Sequence, residues 1–177
     1  MRLWRNALAL TICLSISACA TSKTYGSAES SQVISANYLA AERLIVGAQK
    51  PIPKDAPIVV ATLVKLDNLG ASSNLGRLIS EQVSSRLTQL GFAVPELKLR
   101  GTIFVRAGSG ELLLSNDVRD IAQSHHAQAV VVGTYAVGAD VVYVHTELVD
   151  AITGNALAAY DYYIPMIEQV MVLLGLK

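Results

Sequence analysis

The sequence is poor in cysteine, in charge and in aromatic side chains, and each shortage excludes a class of protein. Its 177 residues include two cysteines, Cys13 and Cys19, both near the N-terminus. The rest of the chain therefore has no thiol for a disulfide framework or a cysteine-based zinc site. Charged residues make up 16% of the chain, and 14 basic residues balance 14 acidic ones. Without a basic excess, the chain lacks the electrostatic footprint of a nucleic-acid-binding protein.

Sequence motifs for catalysis are also missing. The chain has neither a G-x-S-x-G nucleophile elbow nor a lysine-bearing phosphate loop. His125 and His126 are adjacent, so they point in different directions and do not chelate one ion as a pair four residues apart would. The acids Glu147, Asp150 and Asp161 fall on two predicted strands or their connection, where charges commonly protect a sheet edge. We therefore predict a protein that is not an enzyme and that has no cofactor and no metal site.

An apolar leader opens the chain. Two arginines precede a hydrophobic segment that is too short to span a bilayer, and the segment ends at Ile16-Ser17-Ala18-Cys19. This ending resembles the bacterial lipobox, in which the cysteine is lipidated and becomes the first residue. We predict a lipoprotein signal peptide over residues 1–18 and a lipid anchor on Cys19. Because Ala20 is not acidic, the resemblance to lipoprotein sorting signals implies the outer membrane, with the domain facing the periplasm.

Composition divides the rest of the chain into three segments. Residues 19–33 are rich in serine, threonine and alanine without a period, which is typical of a flexible tether. Residues 34–165 carry periodic apolar patterns and form the predicted domain, which is large enough to bury a core unaided. Residues 166–177 are apolar nearly all round, so this tail must be buried in its own domain or in a partner.

The fold prediction starts from Ala129–Tyr135, which reads Ala-Val-Val-Val-Gly-Thr-Tyr. Such an unbroken β-branched run indicates a strand that is covered on both faces, with the glycine marking a bulge or a close backbone approach. Pro57–Val64 indicates a second buried strand. Leu75–Leu90 carries the clearest apolar stripe of a helix, with Ser73 or Asn74 as its N-cap.

The remaining segments complete an alternating pattern. Ile34–Gln49 and a segment from Ser115 predict helices, and Phe92–Leu99 predicts a strand that its proline confines to an edge or a bulge. Val141–Val149 and Ala156–Ile164 follow short turns, so they predict antiparallel strands. The expected fold is an α/β (α+β) sandwich in which helices pack on a mixed sheet of about five strands.

Two kinds of residue are candidates for a contact surface. Aromatic side chains on the last strand and the apolar tail could carry interface energy, although half-buried strand residues and a tail packed in its own domain are the alternatives. Exposed charges on the 75–90 helix could also contribute, although a solvated helix face is the commoner arrangement. The candidates are Arg77, Glu81, Tyr160, Tyr162, Tyr163, Met166, Val170 and Leu174.

Several short motifs resemble those of one protein family. They are Val60-Ala61-Thr62, Ser73-Asn74-Leu75-Gly76-Arg77, Leu113-Leu114-Ser115-Asn116-Asp117, Val131-Val132-Gly133-Thr134-Tyr135 and Asp150-Ala151-Ile152-Thr153-Gly154. With the lipobox, they resemble the FlgO family of flagellar outer-membrane lipoproteins over residues 35–165. The resemblance implies a non-enzymatic protein that supports flagellar assembly or stability alongside other flagellar accessory lipoproteins or basal-body proteins. It also implies a fold similar to the N-terminal domain of TolB and to CsgG, and homo-oligomerisation is a further option.

Two other functions remain open at this point. A lipoprotein that activates peptidoglycan synthesis, similar in fold to LpoB, would need a long tether to reach the inner membrane, and the predicted tether is short. A secretion pore similar to CsgG would need additional alternating hairpins to cross the bilayer. The strands of this chain are already assigned to the domain sheet, so neither function is favoured over a flagellar one.

Overall fold

The computed structural model describes residues 28–95 and 122–177. The predicted signal peptide, Cys19 and the start of the helix expected from Ser115 lie outside these ranges. So do residues 103–105, whose Ile-Phe-Val sequence predicts a short further strand. The described elements are α1 (Ala28–Val46), β1 (Ile58–Val60), β2 (Val64–Lys65), α2 (Asn74–Gln89), β3 (Ala129–Val137), β4 (Val141–Asp150), β5 (Ala156–Pro165) and α3 (Glu168–Leu174).

Within the described residues, five strands form one mixed sheet in the order β1-β3-β4-β5, and β2 also pairs with β3. β1 and β2 run parallel to β3, whereas β3, β4 and β5 form an antiparallel meander. Parallel pairing follows from the helical crossover between the early strands and β3, and antiparallel pairing follows from the short turns after β3. The predicted fold class, a mixed sheet with packed helices, is confirmed.

β3 is the central strand, and both of its faces are covered as predicted. Its residues from Ala129 to Tyr135 are all buried. Gly133 marks a close approach, because a Cβ atom there would lie 2.5 Å from the carbonyl oxygen of His145 on β4 and 3.0 Å from Cγ of Leu63. A side chain at this position would therefore push β4 away from β3.

The two faces of the sheet are covered by different layers. We call the face that packs against α1, α2 and α3 the inner face. Its core includes Leu44 of α1, Ile79 of α2, and Val144 and Ile164 of the meander. The opposite, outer face carries a smaller apolar cluster at the β1–β3 end, where Val130 packs with the short helical segment at residues 122–124. Farther along, β4 and β5 expose their outer-face side chains.

α2 begins and ends as its sequence predicts. Ser73 is the N-cap, and its hydroxyl accepts a hydrogen bond from the Gly76 N–H at 3.3 Å. Gly91 follows the helix with a φ of 85°, a left-handed conformation that glycine adopts without strain. The N-cap and the C-terminal glycine thus fix the length of α2 from the sequence alone.

α1 begins six residues earlier than predicted. The sequence pattern assigns residues 19–33 to a tether and starts the helix at Ile34, but the structure starts it at Ala28. Val33 is buried against the core, so the first turns contribute packing as well as helical hydrogen bonds. Because serine and glutamate break the apolar period without preventing a helix, tertiary packing decided this boundary.

The strand predicted over Pro57–Val64 is interrupted. β1 ends at Val60 and β2 begins at Val64, because the buried Ser80 hydroxyl of α2 enters the space between them. Its oxygen accepts a hydrogen bond from the Leu63 N–H at 3.0 Å and lies 3.0 Å from the Ala61 carbonyl oxygen. The prediction of a strand from Phe92 is also wrong over residues 92–95, which have an irregular backbone. The rest of that predicted strand lies outside the described ranges.

Candidate contact surface on the outer face of the sheet

Two exposed tyrosines stand side by side on the outer face of the meander. Tyr143 of β4 and Tyr163 of β5 are direct cross-strand partners, and they are 61% and 62% exposed. Strand alternation places both on this face, because their neighbours Val142 and Ile164 point into the core. Large exposed aromatic side chains are a feature of protein interfaces, so this pair is the strongest apolar element of a candidate contact surface.

A histidine held between two carboxylates lies beside the tyrosine pair. His145 Nδ1 is 2.6 Å from Asp161 Oδ1, and its Nε2 is 3.1 Å from Glu147 Oε1. Partial burial of the ring opposes the charged form, but the hydrogen bonds and charges of the two acids outweigh it and raise the pKa of His145. When the ring is protonated, each nitrogen donates to one carboxylate. The bond to Asp161 therefore joins β4 to β5 as a charge-assisted hydrogen bond, and the bond to Glu147 holds the other side of the ring within β4.

The outer face becomes more exposed toward β5. Thr134 on β3 is buried, the His145 side chain on β4 is 34% exposed, and its cross-strand partner Asp161 on β5 is 80% exposed. We define the outer contact face as Tyr143, His145, Glu147, Asp161 and Tyr163. Aromatic, cationic and anionic groups alternate on it within two neighbouring strands, which is a surface suited to a protein partner.

Tyr160 and Tyr162, which the sequence groups with Tyr163, lie on the other side of the sheet. Their rings stack with centroids 6.0 Å apart, and both pack against the inner core. The Tyr162 hydroxyl donates to Oδ1 of the fully buried Asn37 at 2.6 Å, and Asn37 in turn donates to Gln82 of α2 at 2.6 Å. Burial raises the pKa of Tyr162, with a smaller contribution from Tyr160. Tyr162 therefore joins α1 to the sheet and Tyr160 stacks beside it, so the structure places both on the inner face, away from Tyr163.

The predicted contact residues of the tail also belong mainly to the core. Val170 and Leu174 are buried against the inner face, and Met166 is partly buried beside them. The tail is helical as predicted, and it packs within its own domain, where α3 lies against α2 and buries its apolar side. Val170 and Leu174 are therefore excluded from the contact surface.

Arg77 and Glu81 lie on α2, which covers the opposite face of the sheet from the outer contact face. Both side chains are exposed, and the ion pairs among the described residues do not include one between them. The structure thus distributes the eight predicted residues over three places and leaves Tyr163 on the outer contact face. Tyr143 and His145 were missing from the prediction; alternation groups them on one face of β4, and the register between β4 and β5 places that face beside Tyr163.

Two of the family-like motifs meet inside the domain. The Tyr135 hydroxyl donates to the Ser73 hydroxyl at 2.8 Å, which joins the Val-Gly-Thr-Tyr strand to the N-cap of α2. A Cβ atom at Gly76 would lie 2.9 Å from Cε1 of the same tyrosine ring, so a glycine admits the ring at this point. Burial raises the pKa of Tyr135, and its hydrogen bonds with Ser73 and Ser72 partly oppose this rise. These motifs therefore specify packing between α2 and β3.

Residues that could hold a metal ion do not cluster in the described part of the chain. No group of three or more histidine, cysteine, aspartate or glutamate side chains has a suitable arrangement there. In the His145 cluster, the two carboxylates bind opposite nitrogens of one ring and do not converge on a common point. Over residues 28–95 and 122–177, no helix is both long and apolar enough to cross a bilayer.

Comparison with known proteins identifies a family and a fold. The sequence model of a family described as FlgO protein matches residues 38–169. No curated protein sequence matches the chain. The LpoB C-terminal domain from Escherichia coli is similar in structure, with a TM-score of 0.53 and 10% identity over 75% of this chain and 97% of that one. The same domain from Salmonella enterica gives a TM-score of 0.51 and 12% identity over 72% of this chain and 93% of that one.

Proposed function

The chain belongs to the FlgO family, and on that basis we propose that it is a non-enzymatic outer-membrane lipoprotein that supports flagellum assembly or stability through protein–protein contacts. The family match over residues 38–169 carries the proposal, because it spans most of the chain. The LpoB-like fold is consistent with an envelope lipoprotein, but at 10% and 12% identity it is evidence for the fold alone.

The proposed location rests on the N-terminal sequence. Cleavage before Cys19 and lipidation of its sulfur would anchor the domain to the outer membrane, and its periplasmic side would present the domain to basal-body proteins or to other flagellar accessory lipoproteins. Residues 20–27 would then separate the lipid from α1. Because such a tether is short, the domain would act close to the membrane that holds it.

The outer contact face is the proposed docking surface for these partners. Tyr143 and Tyr163 supply exposed aromatic area, and the neighbouring carboxylates and His145 supply polar contacts that would orient a partner. The helices cover the opposite side of the sheet, so neither tyrosine is part of the core that holds the helices there. A mutation there should affect function without affecting stability.

Complementation of a deletion strain tests the proposal. Deletion of the gene should reduce swimming in soft agar and the number of intact flagella seen by electron microscopy, and the wild-type gene should restore both. The double variant Tyr143→Ser/Tyr163→Ser and the anchor variant Cys19→Ser should fail to restore them. The matched control is Ile152→Ser, which removes an 86% exposed apolar side chain from a turn away from the outer contact face. Immunoblots of membrane fractions would confirm equal protein levels.

Two results would overturn the proposal. One is a deletion strain with normal flagella and normal swimming. The other is failure of the control variant to the same extent as the tyrosine variant, which would show that loss of any apolar surface residue matters equally. Normal flagella together with binding of a purified cell-wall synthase to the chain would instead support the LpoB-like alternative.

A further inference from the structure

The outer contact face carries an excess of negative charge. From Ala129 to Pro165, a stretch that includes all of β3, β4 and β5, the chain has four acidic residues and no lysine or arginine. On the outer contact face, Glu147 and Asp161 share a single basic group, His145. The face is therefore anionic whether the imidazole is protonated or neutral. Among the described residues, neither carboxylate forms an ion pair with a lysine or an arginine.

Each of these carboxylates keeps an oxygen for a further donor. His145 bonds to Oδ1 of Asp161 and to Oε1 of Glu147, and no hydrogen bond from another described residue reaches the second oxygen of either acid. The Asp161 side chain is 80% exposed, whereas that of Glu147 is 20% exposed. Because an ionised carboxylate accepts through both oxygens, Asp161 is the accessible acceptor on this face.

Two tyrosine rings border the exposed carboxylate. Tyr163 lies two residues from Asp161 on the same face of β5, about 7 Å along the strand. Tyr143 is the cross-strand partner of Tyr163, which makes it a diagonal neighbour of Asp161. A tyrosine ring attracts a cation that lies within about 6 Å of its centre. One cationic side chain can therefore contact a ring and the carboxylate together.

The same domain contains this combination of groups in complete form on its helical side. Arg86 of α2 donates from Nε to Oε1 of Glu42 on α1 at 2.8 Å, and its guanidinium carbon lies 5.5 Å from the centre of the Tyr38 ring. On the outer contact face the carboxylate and the rings are present, and the described residues supply no lysine or arginine to them. An arginine suits this position better than a lysine, because its planar group stacks on a ring while its N–H groups bond to a carboxylate.

We infer that the partner of the outer contact face places an arginine side chain against Asp161 and the tyrosine pair. The inference rests on the proposed function, because it specifies the chemistry of the protein that docks there. The guanidinium would donate to the free oxygen of Asp161 and stack on the ring of Tyr143 or Tyr163. The docking segment of the partner is therefore basic, since an acidic segment would be repelled and a neutral one would supply no countercharge.

Titration of the full chain in mild detergent with short peptides tests this inference. The probes are blocked peptides of sequence Ser-Leu-X-Leu-Ser, in which X is arginine, lysine, glutamine or glutamate. NMR signals of ¹³C-labelled tyrosine rings, assigned with Tyr143→Phe and Tyr163→Phe, report binding at the outer contact face. The arginine peptide should shift both ring signals and bind about 3 to 30 times more tightly than the glutamine peptide, which is the combined effect of one exposed ion pair and one cation–π contact. The lysine peptide should bind with intermediate affinity.

Two variants separate the contribution of the carboxylate from that of the rings. Asp161→Asn keeps an acceptor for His145 but removes the charge, and Tyr143→Leu/Tyr163→Leu keeps apolar area but removes the aromatic faces. Each should lower the preference for arginine over glutamine about twofold or more. Glu81→Gln is the control, because it removes one exposed charge from the helical side of the domain and should leave this preference unchanged. Circular dichroism would verify that each variant is folded.

Four results would overturn the inference. Equal binding of the arginine and glutamine peptides would indicate an apolar partner, and tighter binding of the glutamate peptide would indicate an acidic partner that bonds to His145. Equal binding of the arginine and lysine peptides would exclude a specific role of the guanidinium. Absence of a shift at both rings would show that this face does not bind a basic segment. These titrations involve no flagellum, so the inference and the proposed function fail in different experiments.

Discussion

Substitution of Ser80 by alanine should destabilise the domain by removing the hydroxyl that separates β1 from β2. Ser80 is 7% exposed, and its oxygen accepts from the Leu63 N–H at 3.0 Å while lying 3.0 Å from the Ala61 carbonyl oxygen. In the variant the Leu63 N–H would have no acceptor and no access to water. An orphaned buried donor costs about 1–3 kcal/mol.

The intrinsic helix propensity acts in the opposite direction. Replacing serine by alanine in a helix interior gains up to about 0.7 kcal/mol, so the expected net loss in the free energy of unfolding is about 0.3–2.3 kcal/mol. Ser84→Ala is the matched control. Ser84 lies in the same helix, so its replacement by alanine gives the same increase in helix propensity. The Ser84 hydroxyl, however, makes no hydrogen bond to another described residue. This control should therefore be as stable as the wild type or slightly more stable.

Urea unfolding followed by circular dichroism measures both variants, and the difference between them isolates the hydrogen bonds. Amide hydrogen exchange gives a local readout. The Leu63 N–H should exchange faster in Ser80→Ala than the lower global stability alone would explain, whereas the exchange of the β3 amides should change only by the amount expected from that lower stability. If Ser80→Ala and Ser84→Ala unfold at the same urea concentration, or if exchange of the Leu63 N–H is unchanged, the Ser80 hydroxyl does not stabilise the break between β1 and β2.

Two further predictions concern the tyrosines and the histidine of the meander. Tyr162→Phe should destabilise the domain by about 1–3 kcal/mol in urea unfolding, because it leaves Oδ1 of the buried Asn37 without a donor, whereas Tyr163→Phe should change stability by less than about 0.5 kcal/mol. Equal effects of the two variants would contradict this assignment. Because the folded-state pKa of His145 is raised above its usual 6.5, its stabilising contribution should be complete below that pH and should be lost as the pH rises through the folded-state pKa. The difference in melting temperature between wild type and His145→Gln should thus be larger at pH 6 than at pH 9, and a constant difference would refute the role of the charged ring.

The motifs that resemble the FlgO family have a structural explanation. Ser73 caps α2 and accepts the hydrogen bond of Tyr135, and Gly76 leaves space for that tyrosine ring. Gly133 allows β4 to approach β3 closely. The two glycines sit where an added side chain would collide with backbone, and Ser73 acts through its hydrogen bonds, so these motifs are tied to the fold. They do not identify the partner, for which the outer contact face is the proposed docking surface.

The sequence by itself determined the elements whose causes are local. An unbroken β-branched run requires cover on both faces, so β3 was predictable, and the cap at Ser73 with the left-handed Gly91 bounded α2. Alternation along β4 and β5 assigned each side chain to one of two faces. Short turns made the final strands antiparallel, and the apolar tail required burial.

Only the tertiary structure decided which face of β4 and β5 the helices cover, because alternation separates two faces without saying where a helix docks. That docking moved Tyr160 and Tyr162 under α1 and left Tyr163 exposed. It also brought together groups that are distant in sequence, such as Asn37 and Tyr162 or His145 and Asp161. Such contacts depend on how separate elements pack, and packing energy is shared among many residues, so no local pattern encodes it.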